Sequence, residues 1–350
     1  MVRDVTLRDF RSYPSLELRL EPGIVLLHGP NGAGKTNLLE ALHVGTQGFS
    51  PRARRDGTLI RFGADAARVS LRGTRDDTPF ATDVLLGRGE ARQIELNGDR
   101  LASADRLRHE LTTLVFTPDR LAVVKGGPAT RRAYLDRAIG RLFAARATLP
   151  TEYANAVAQR NAGLRRIRAA LSSREALEPW TRRVSELGRL LVEARTETLA
   201  ALTAPFAEAA AELGLAGASL VYEGEPPTDE DLAARLESDL ERGVTGTGPH
   251  LHDVRIQAAD RDLRAFGSQG EQRVAVLALV LAEAHALRDR GSPQPLVLLD
   301  DVLSELDGDR RRALAAMLES GSQTVVTATA RGALPAEPAQ ALTVMPGSVR

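Results

Sequence analysis

Cysteine is absent from all 350 residues, so the chain has no disulfide framework and shows no sign of having been built for an oxidising compartment. Lysine is almost absent: Lys35 and Lys125 are the only two, and arginine supplies all other basic charge. Formal net charge is zero, so the chain as a whole is not drawn to polyanions and any nucleic-acid contact must use a local patch. Long hydrophobic runs are missing too. The longest uncharged apolar stretch, residues 274–282, is far too short to span a bilayer, and Met1-Val2-Arg3-Asp4 lacks the apolar core of a signal peptide. A cytoplasmic protein with no membrane partner is expected. There is no fixed-period repeat and no sustained heptad pattern, which argues against long coiled-coil arms.

What is present is uneven. Residues 126–200 hold fourteen arginines against seven acids, whereas residues 201–242 hold two arginines against ten acids. The asymmetry reads either as solvated helix faces or as a basic face for phosphates. Strand-like alternation occupies residues 2–7, 16–20, 24–27, 67–72, 80–86 and 92–96, ending at the Asn97-Gly98 turn, which looks like half of a sheet. From about residue 128 to 241 the period turns helical, with Leu164, Ile167 and Leu171, then Leu187, Leu190, Leu191 and Ala194, three or four apart. After a glycine-rich joint at 243–248, strands and helices alternate again. The expected organisation is α/β: one lobe in two halves, 1–125 and 246–350, interrupted by a mostly helical lobe, 126–245.

Gly29-Pro30-Asn31-Gly32-Ala33-Gly34-Lys35-Thr36 lies between the apolar run 24–27 and a helix-like stretch. In such a strand–loop–helix unit glycines let successive backbone N–H groups point at phosphates, Lys35 neutralises β/γ charge, and the Thr36 hydroxyl is placed to ligate Mg²⁺. A nucleoside triphosphate, ATP or GTP, is therefore the expected ligand. Leu296-Val297-Leu298-Leu299-Asp300-Asp301 is a buried-strand run ending in paired acids. Asp300 is the candidate metal-side carboxylate, and Asp301 the candidate to orient water or accept its proton. Ser268-Gln269-Gly270-Glu271 opens an apolar-periodic helix. It reads as a capping box, or as a helix N-terminus that receives the γ-phosphate of another subunit's nucleotide. Ser304-Glu305-Leu306-Asp307 follows the acids; Asp307 either caps the next helix or helps couple two sites across a dimer seam.

In this order the motifs resemble the ATP-binding-cassette class, specifically its chromosome-maintenance branch with the SMC proteins. A narrower resemblance is to the RecF family. It is carried by Pro118-Asp119, Val123-Val124-Lys125-Gly126-Gly127-Pro128, Arg131-Arg132-Ala133-Tyr134-Leu135-Asp136, Leu7 to Tyr13, Thr247-Gly248-Pro249-His250, and the Leu298 to Asp307 segment with Arg310 and Leu314 behind it. The similarity spans essentially the whole chain. It implies an ABC-type ATPase that dimerises on ATP and Mg²⁺, with Ser268, Gln269, Gly270 and Glu271 acting in trans and Ser304 and Asp307 in a seam-crossing loop. It also implies binding to double-stranded, gapped or junction DNA, and work with RecR and RecO to place RecA. Where the family has Arg and Asp after Gly-Pro-His, this chain has Leu251 and His252 before Asp253. The wider class has Glu at the Asp301 position; the shorter Asp implies slow hydrolysis. Transport cassettes often carry a histidine after the last core strand, but Thr327-Ala328-Thr329 stands here, so any γ-phosphate sensor would be a hydroxyl.

Arg131, Arg132, Arg137 and Arg141 at helical spacing, with Arg160, Arg165, Arg166 and Arg168 beyond, are the candidate DNA contacts, unless Arg131 and Arg132 pair internally with Asp136 or the acidic segment. Arg11 either reaches the nucleotide or packs near it. The rival readings are the ATPase subunit of a membrane transporter and a P-loop small-molecule kinase, in which Ser268 would only cap its helix.

Overall fold

A computed structural model describes residues 1–319 and 321–350. The chain divides into two compact units, one of Met1–Leu121, Glu212–Gly214 and Val276–Arg350, the other of Ala122–Ala211 and Leu215–Ala275.

The first unit is built on two sheets. In one, strands run in the order Ser348–Val349, Gln340–Met345, Ile24–His28, Thr324–Ala328, Leu296–Leu299, Thr113–Phe116. All neighbours in it are parallel except the terminal hairpin. Leu296–Leu299, Thr324–Ala328 and Thr113–Phe116 are buried at every position, which is why none of them alternates between apolar and charged residues. The other sheet is antiparallel, in the order Tyr13–Arg19, Val2–Phe10, Ala66–Arg75, Thr78–Gly87, Gln93–Leu96, Asp99–Arg100. Its alternating residues Val5, Leu7, Val69, Leu71, Val84 and Ile94 join one core with Leu38, Leu39 and Leu42 of the helix Lys35–Gln47. The N-terminal strands are thus mostly a sheet of their own, and only Ile24–His28 enters the parallel one. The strands Thr113–Phe116 and Gln340–Met345 were not legible in the sequence, the first because four residues hold no period, the second because it is short and only Leu342 and Val344 are buried in it.

The second unit packs the helices Pro128–Leu142, Leu149–Arg168 and Glu178–Glu212 through Ile139, Tyr153, Ala156, Val184, Leu187, Leu191 and Ala194. Leu164 is buried with Leu177 and Leu240, but Leu171 is exposed because its helix ends at Arg168. This unit also holds an antiparallel sheet of Ala218–Glu223, Asp253–Ala258 and Arg261–Asp262. That pairing draws the segment after the glycine-rich joint into the helical unit, so the seam lies near residue 275 rather than at 246. The helix Gln269–Asp289 crosses the division.

Candidate nucleotide-binding site

At the carboxyl end of Ile24–His28 the chain turns through Gly29 with φ +154°, and a Cβ there would lie 2.3 Å from the carbonyl oxygen of Val344. Gly34, left-handed at φ +111°, starts the helix Lys35–Gln47, and a Cβ there would meet the Tyr13 hydroxyl at 2.9 Å. Only glycine fits either position. Lys35 Nζ folds back to donate to the carbonyls of Gly29, at 2.7 Å, and Pro30, at 3.0 Å. Burial lowers its pKa, while Asp301 and Asp300 act in the opposite sense. Pro30, Asn31 and Gly32 are the exposed rim; Gly29, Ala33 and Gly34 are buried. The helix behind carries no acid of its own in its first turn, so no side chain within it offsets the positive end of its dipole.

Asp300 continues the parallel ladder, its N–H donating to the Phe116 carbonyl at 2.9 Å. Its Oδ1 accepts from the Thr36 hydroxyl at 2.9 Å and from the Thr327 hydroxyl at 3.0 Å. Burial raises the pKa of this carboxyl, against the two hydroxyl bonds and the positive charge of Arg52. Asp301 has φ +52°, a costly conformation for a residue with a Cβ, and that turn sends it to the exposed side. The strain is held by Thr327, whose hydroxyl accepts from the Asp301 N–H at 2.8 Å while donating to Asp300. Thr327 comes from the strand between those of the phosphate loop and the acids. It is fully committed and 1% exposed, so of the two hydroxyls in that segment Thr329, which is exposed, is the one left for a γ-phosphate sensor.

The Thr36 hydroxyl and Asp300 carboxylate, in hydrogen-bond contact, form a small set of hard oxygen donors. Among the described residues no group of three or more His, Cys, Asp or Glu could cage a metal by itself. One hydroxyl and one carboxylate beside a phosphate loop suit Mg²⁺, which keeps waters and shares phosphate oxygens. The residues fit the ion.

The first hairpin braces the loop. Tyr13, fully buried, with burial pushing its pKa up to about 12, donates to the Gly34 carbonyl at 3.1 Å. Arg11 grips Glu40 with two bonds, 2.8 and 2.9 Å, and donates to the Thr58 carbonyl at 2.8 Å. It ties the hairpin turn to the helix that carries Lys35 and Thr36. Arg52 approaches the same Glu40 at 3.9 Å. Sequence reasoning missed Arg52, whose only signal was its company, Arg54 and Arg55, in a short stretch after Pro51.

Asp307 accepts from the Arg310 N–H at 2.9 Å and caps Gly308–Glu319, while the Ser304 hydroxyl turns back to the Asp301 carbonyl at 3.0 Å. In the second unit Ser268 and Glu271 form a reciprocal box. The Glu271 carboxylate accepts from the Ser268 N–H at 2.7 Å, and the Ser268 hydroxyl accepts from the Glu271 N–H at 3.2 Å. The first of these bonds holds the Glu271 pKa low. Ser268, Gln269 and Gly270 are exposed.

The arginine expectation needs correction. Arg131 is buried and clamped to Asp253 at 2.8 and 2.7 Å, with a further bond to the Gly126 carbonyl at 2.8 Å. Arg132 donates to the His252 carbonyl at 2.6 Å. Arg160 is fully buried against Asp239, at 2.7 Å, and Thr245, at 2.9 Å. Asp136 is taken by Arg195 at 2.8 and 3.0 Å, so it is not the partner of Arg131. These guanidiniums hold the unit together rather than face outward. Arg137, Arg165, Arg166 and Arg168 are exposed and Arg141 is half-buried. At the departure from the family pattern, Leu251 is exposed, and His252 bonds Tyr222 at 2.9 Å with its pKa lowered to about 4, chiefly by burial.

Residues 1–345 match the family model described as the RecF/RecN/SMC N terminal domain. A DNA replication and repair protein RecF from Heliobacterium modesticaldum is 35% identical over 345 residues, covering 94% of this chain and 92% of its own length. The chain belongs to the RecF family. A solved structure of the recombination mediator protein RecF-ATP in the RecFOR pathway superimposes with a TM-score of 0.88 at 26% identity, covering 100% of this chain and 96% of that one. The SMC head domain from Pyrococcus furiosus, at TM-score 0.61 and 19% identity over 100% of this chain and 95% of that one, shares the fold. This RecF-family chain is accordingly a recombination-repair ATPase of ABC-type α/β architecture. Among the described residues no helix is long and apolar enough to cross a membrane.

Proposed function

We propose that two copies of the chain close on two ATP molecules, that the closed dimer grips DNA in the cytoplasm, and that slow hydrolysis times its release. The observation that carries this reading is the division of labour. Lys35, Thr36 and Asp300 belong to one compact unit, and the exposed box Ser268–Glu271, which opens a helix of 21 residues, belongs to the other. An exposed helix start with a serine hydroxyl is a ready receiver for a γ-phosphate.

In this reading Lys35 exchanges its loop carbonyls for β/γ oxygens, and the N–H groups from Gly32 to Thr36 cradle the phosphates. Thr36 and Asp300 would hold Mg²⁺, which when bound would supply positive charge to neutralise the phosphates. Asp301 orients the attacking water and takes its proton as the bond to the γ-phosphorus forms and ADP departs. Arg52 keeps positive charge near Asp300. Loss of the γ-phosphate removes the contacts of Ser268, each worth about 1.5–3 kcal/mol when charge-assisted, and two such losses favour reopening.

The DNA-facing candidates are now Arg137, Arg141, Arg165, Arg166 and Arg168. Phosphate contacts of this kind carry no sequence preference and weaken steeply with salt. The RecFOR pathway named for the solved relatives supports RecR and RecO as partners; double-stranded DNA at gaps or single-strand junctions, and the loading of RecA, follow from the family resemblance. A mixing experiment tests the core of the proposal. Lys35→Met and Ser268→Arg proteins, each inactive, should regain part of the ATPase activity when combined, because one hybrid site is then intact. No recovery would mean that each chain completes its own site, as a monomeric kinase does.

A further inference from the structure

Of the eight phenylalanines, only Phe62 and Phe266 are exposed, at 96% and 69%. Phe266 stands two residues before Ser268, and it is held there. The short helix Leu263–Phe266 is capped by Asp262, whose carboxylate accepts from the Arg264 N–H at 2.8 Å. Its buried first residue, Leu263, offers its carbonyl to the Gly267 N–H at 3.1 Å and to Gln272 Nε2 at 2.7 Å. Gln272 lies in the first turns of the helix that Ser268 caps and is 4% exposed. Arg261 adds an ion pair to Glu271 at 3.4 Å. The aromatic ring and the serine are therefore presented by one braced turn, and an exposed ring that is already positioned loses little freedom on binding.

In the unit of the phosphate loop the exposed phenylalanine is Phe62, which follows Arg61, paired with Asp9 of the first hairpin at 2.6 Å, and it is the rival ring. Phe10 and Tyr13 are fully buried, and the Tyr13 hydroxyl is spent on the Gly34 carbonyl. From Ser268 to Phe266 the backbone spans at most about 7 Å when extended, and the benzyl group adds its own length. That is the scale separating the γ-phosphate of a nucleotide from its ribose and base. We infer that Phe266 reaches the nucleotide sandwiched by the partner copy and stacks on its base, so that the signature turn reads the γ-phosphate through Ser268 and the nucleobase through Phe266. This inference rests on the two-chain site proposed above and assigns it a further binding residue.

The test compares ATP with ribose 5-triphosphate, which keeps the phosphates and sugar but has no base, as drivers of dimerisation followed by sedimentation. The unaltered chain should dimerise at about tenfold lower ATP than ribose triphosphate. Phe266→Ala should lose that preference by needing roughly tenfold more ATP, with its response to ribose triphosphate unchanged. The inference is overturned if Phe266→Ala weakens both responses equally, since the ring then packs on protein. It is equally overturned if neither response moves, or if Phe62→Ala is the variant that erases the preference. Failure of the two-chain site itself shows differently: Ser268→Arg would then dimerise normally with either compound, and the role of Phe266 would fall with it.

Discussion

The nucleotide end of the parallel sheet and the arginine-rich helical unit treat their charged residues in opposite ways. At the sheet end, residues 264 positions apart in sequence meet as their types suggest, Thr36 on Asp300 at 2.9 Å. In the helical unit, three arginines taken for an outward basic face are turned inward onto Asp253, the His252 carbonyl and Asp239. A phosphate loop is specified locally, because its glycines permit one backbone path and strand and helix flank it. An arginine is not. Its guanidinium is equally at home in water or against a carboxylate, and which it meets depends on what the fold brings near.

The sharpest way to break this contrast is at Arg160. If it is a structural guanidinium, Arg160→Ala leaves Asp239 buried and unpaired and should cost about 3–5 kcal/mol of unfolding free energy in urea. A change confined to DNA affinity, with stability intact, would restore the outward reading. Replacing Arg160 and Asp239 together by leucine should recover most of the loss.

Asp300 probes the other side. Burial raises its pKa, so its ionised form is a liability in the protein alone: the folded state binds the proton more tightly than the unfolded one, and this contribution to stability fades as pH rises through the native pKa. Asp300→Asn should therefore raise the thermal midpoint of the nucleotide-free protein near neutral pH while lowering ATPase activity about a hundredfold or more. A variant that is both inactive and less stable would show that the carboxylate is structural.

A smaller effect is expected at His252. Its pKa falls from 6.5 to about 4 on folding, so both states are neutral above 6.5, and stability is lost as pH drops through that interval because the unfolded chain protonates first. His252→Gln should flatten the stability profile between those values. Equal slopes for the two proteins would mean that the imidazole is not held neutral by its surroundings.

Smallest of all, Arg166→Ala should leave stability within about 0.5 kcal/mol and weaken duplex binding without regard to sequence, lowering the slope of log K against log salt by about one. An unchanged slope would remove Arg166 from the DNA face.

Much of the site was legible beforehand: the loop, the lysine, the hydroxyl and both acids each carry chemistry that their spacing announces. The role of Thr327 was not legible, because nothing in Thr-Val-Val-Thr-Ala tells which hydroxyl will stand between two aspartates. Arg11 was left between two roles until Glu40, 29 residues on, took two of its donors.

By itself, then, the sequence determined the phosphate loop, the acid strand, the capped signature helix and the family, since each rests on local backbone preference or on an ordered set of short motifs. Only the tertiary structure decided which arginines are internal, which hydroxyl aligns the acids, and that the segment before Val276 belongs with the helices. Those outcomes turn on pairings between distant residues, where burial makes a charge costly unless a partner arrives, and the arrival of a partner is a property of the fold.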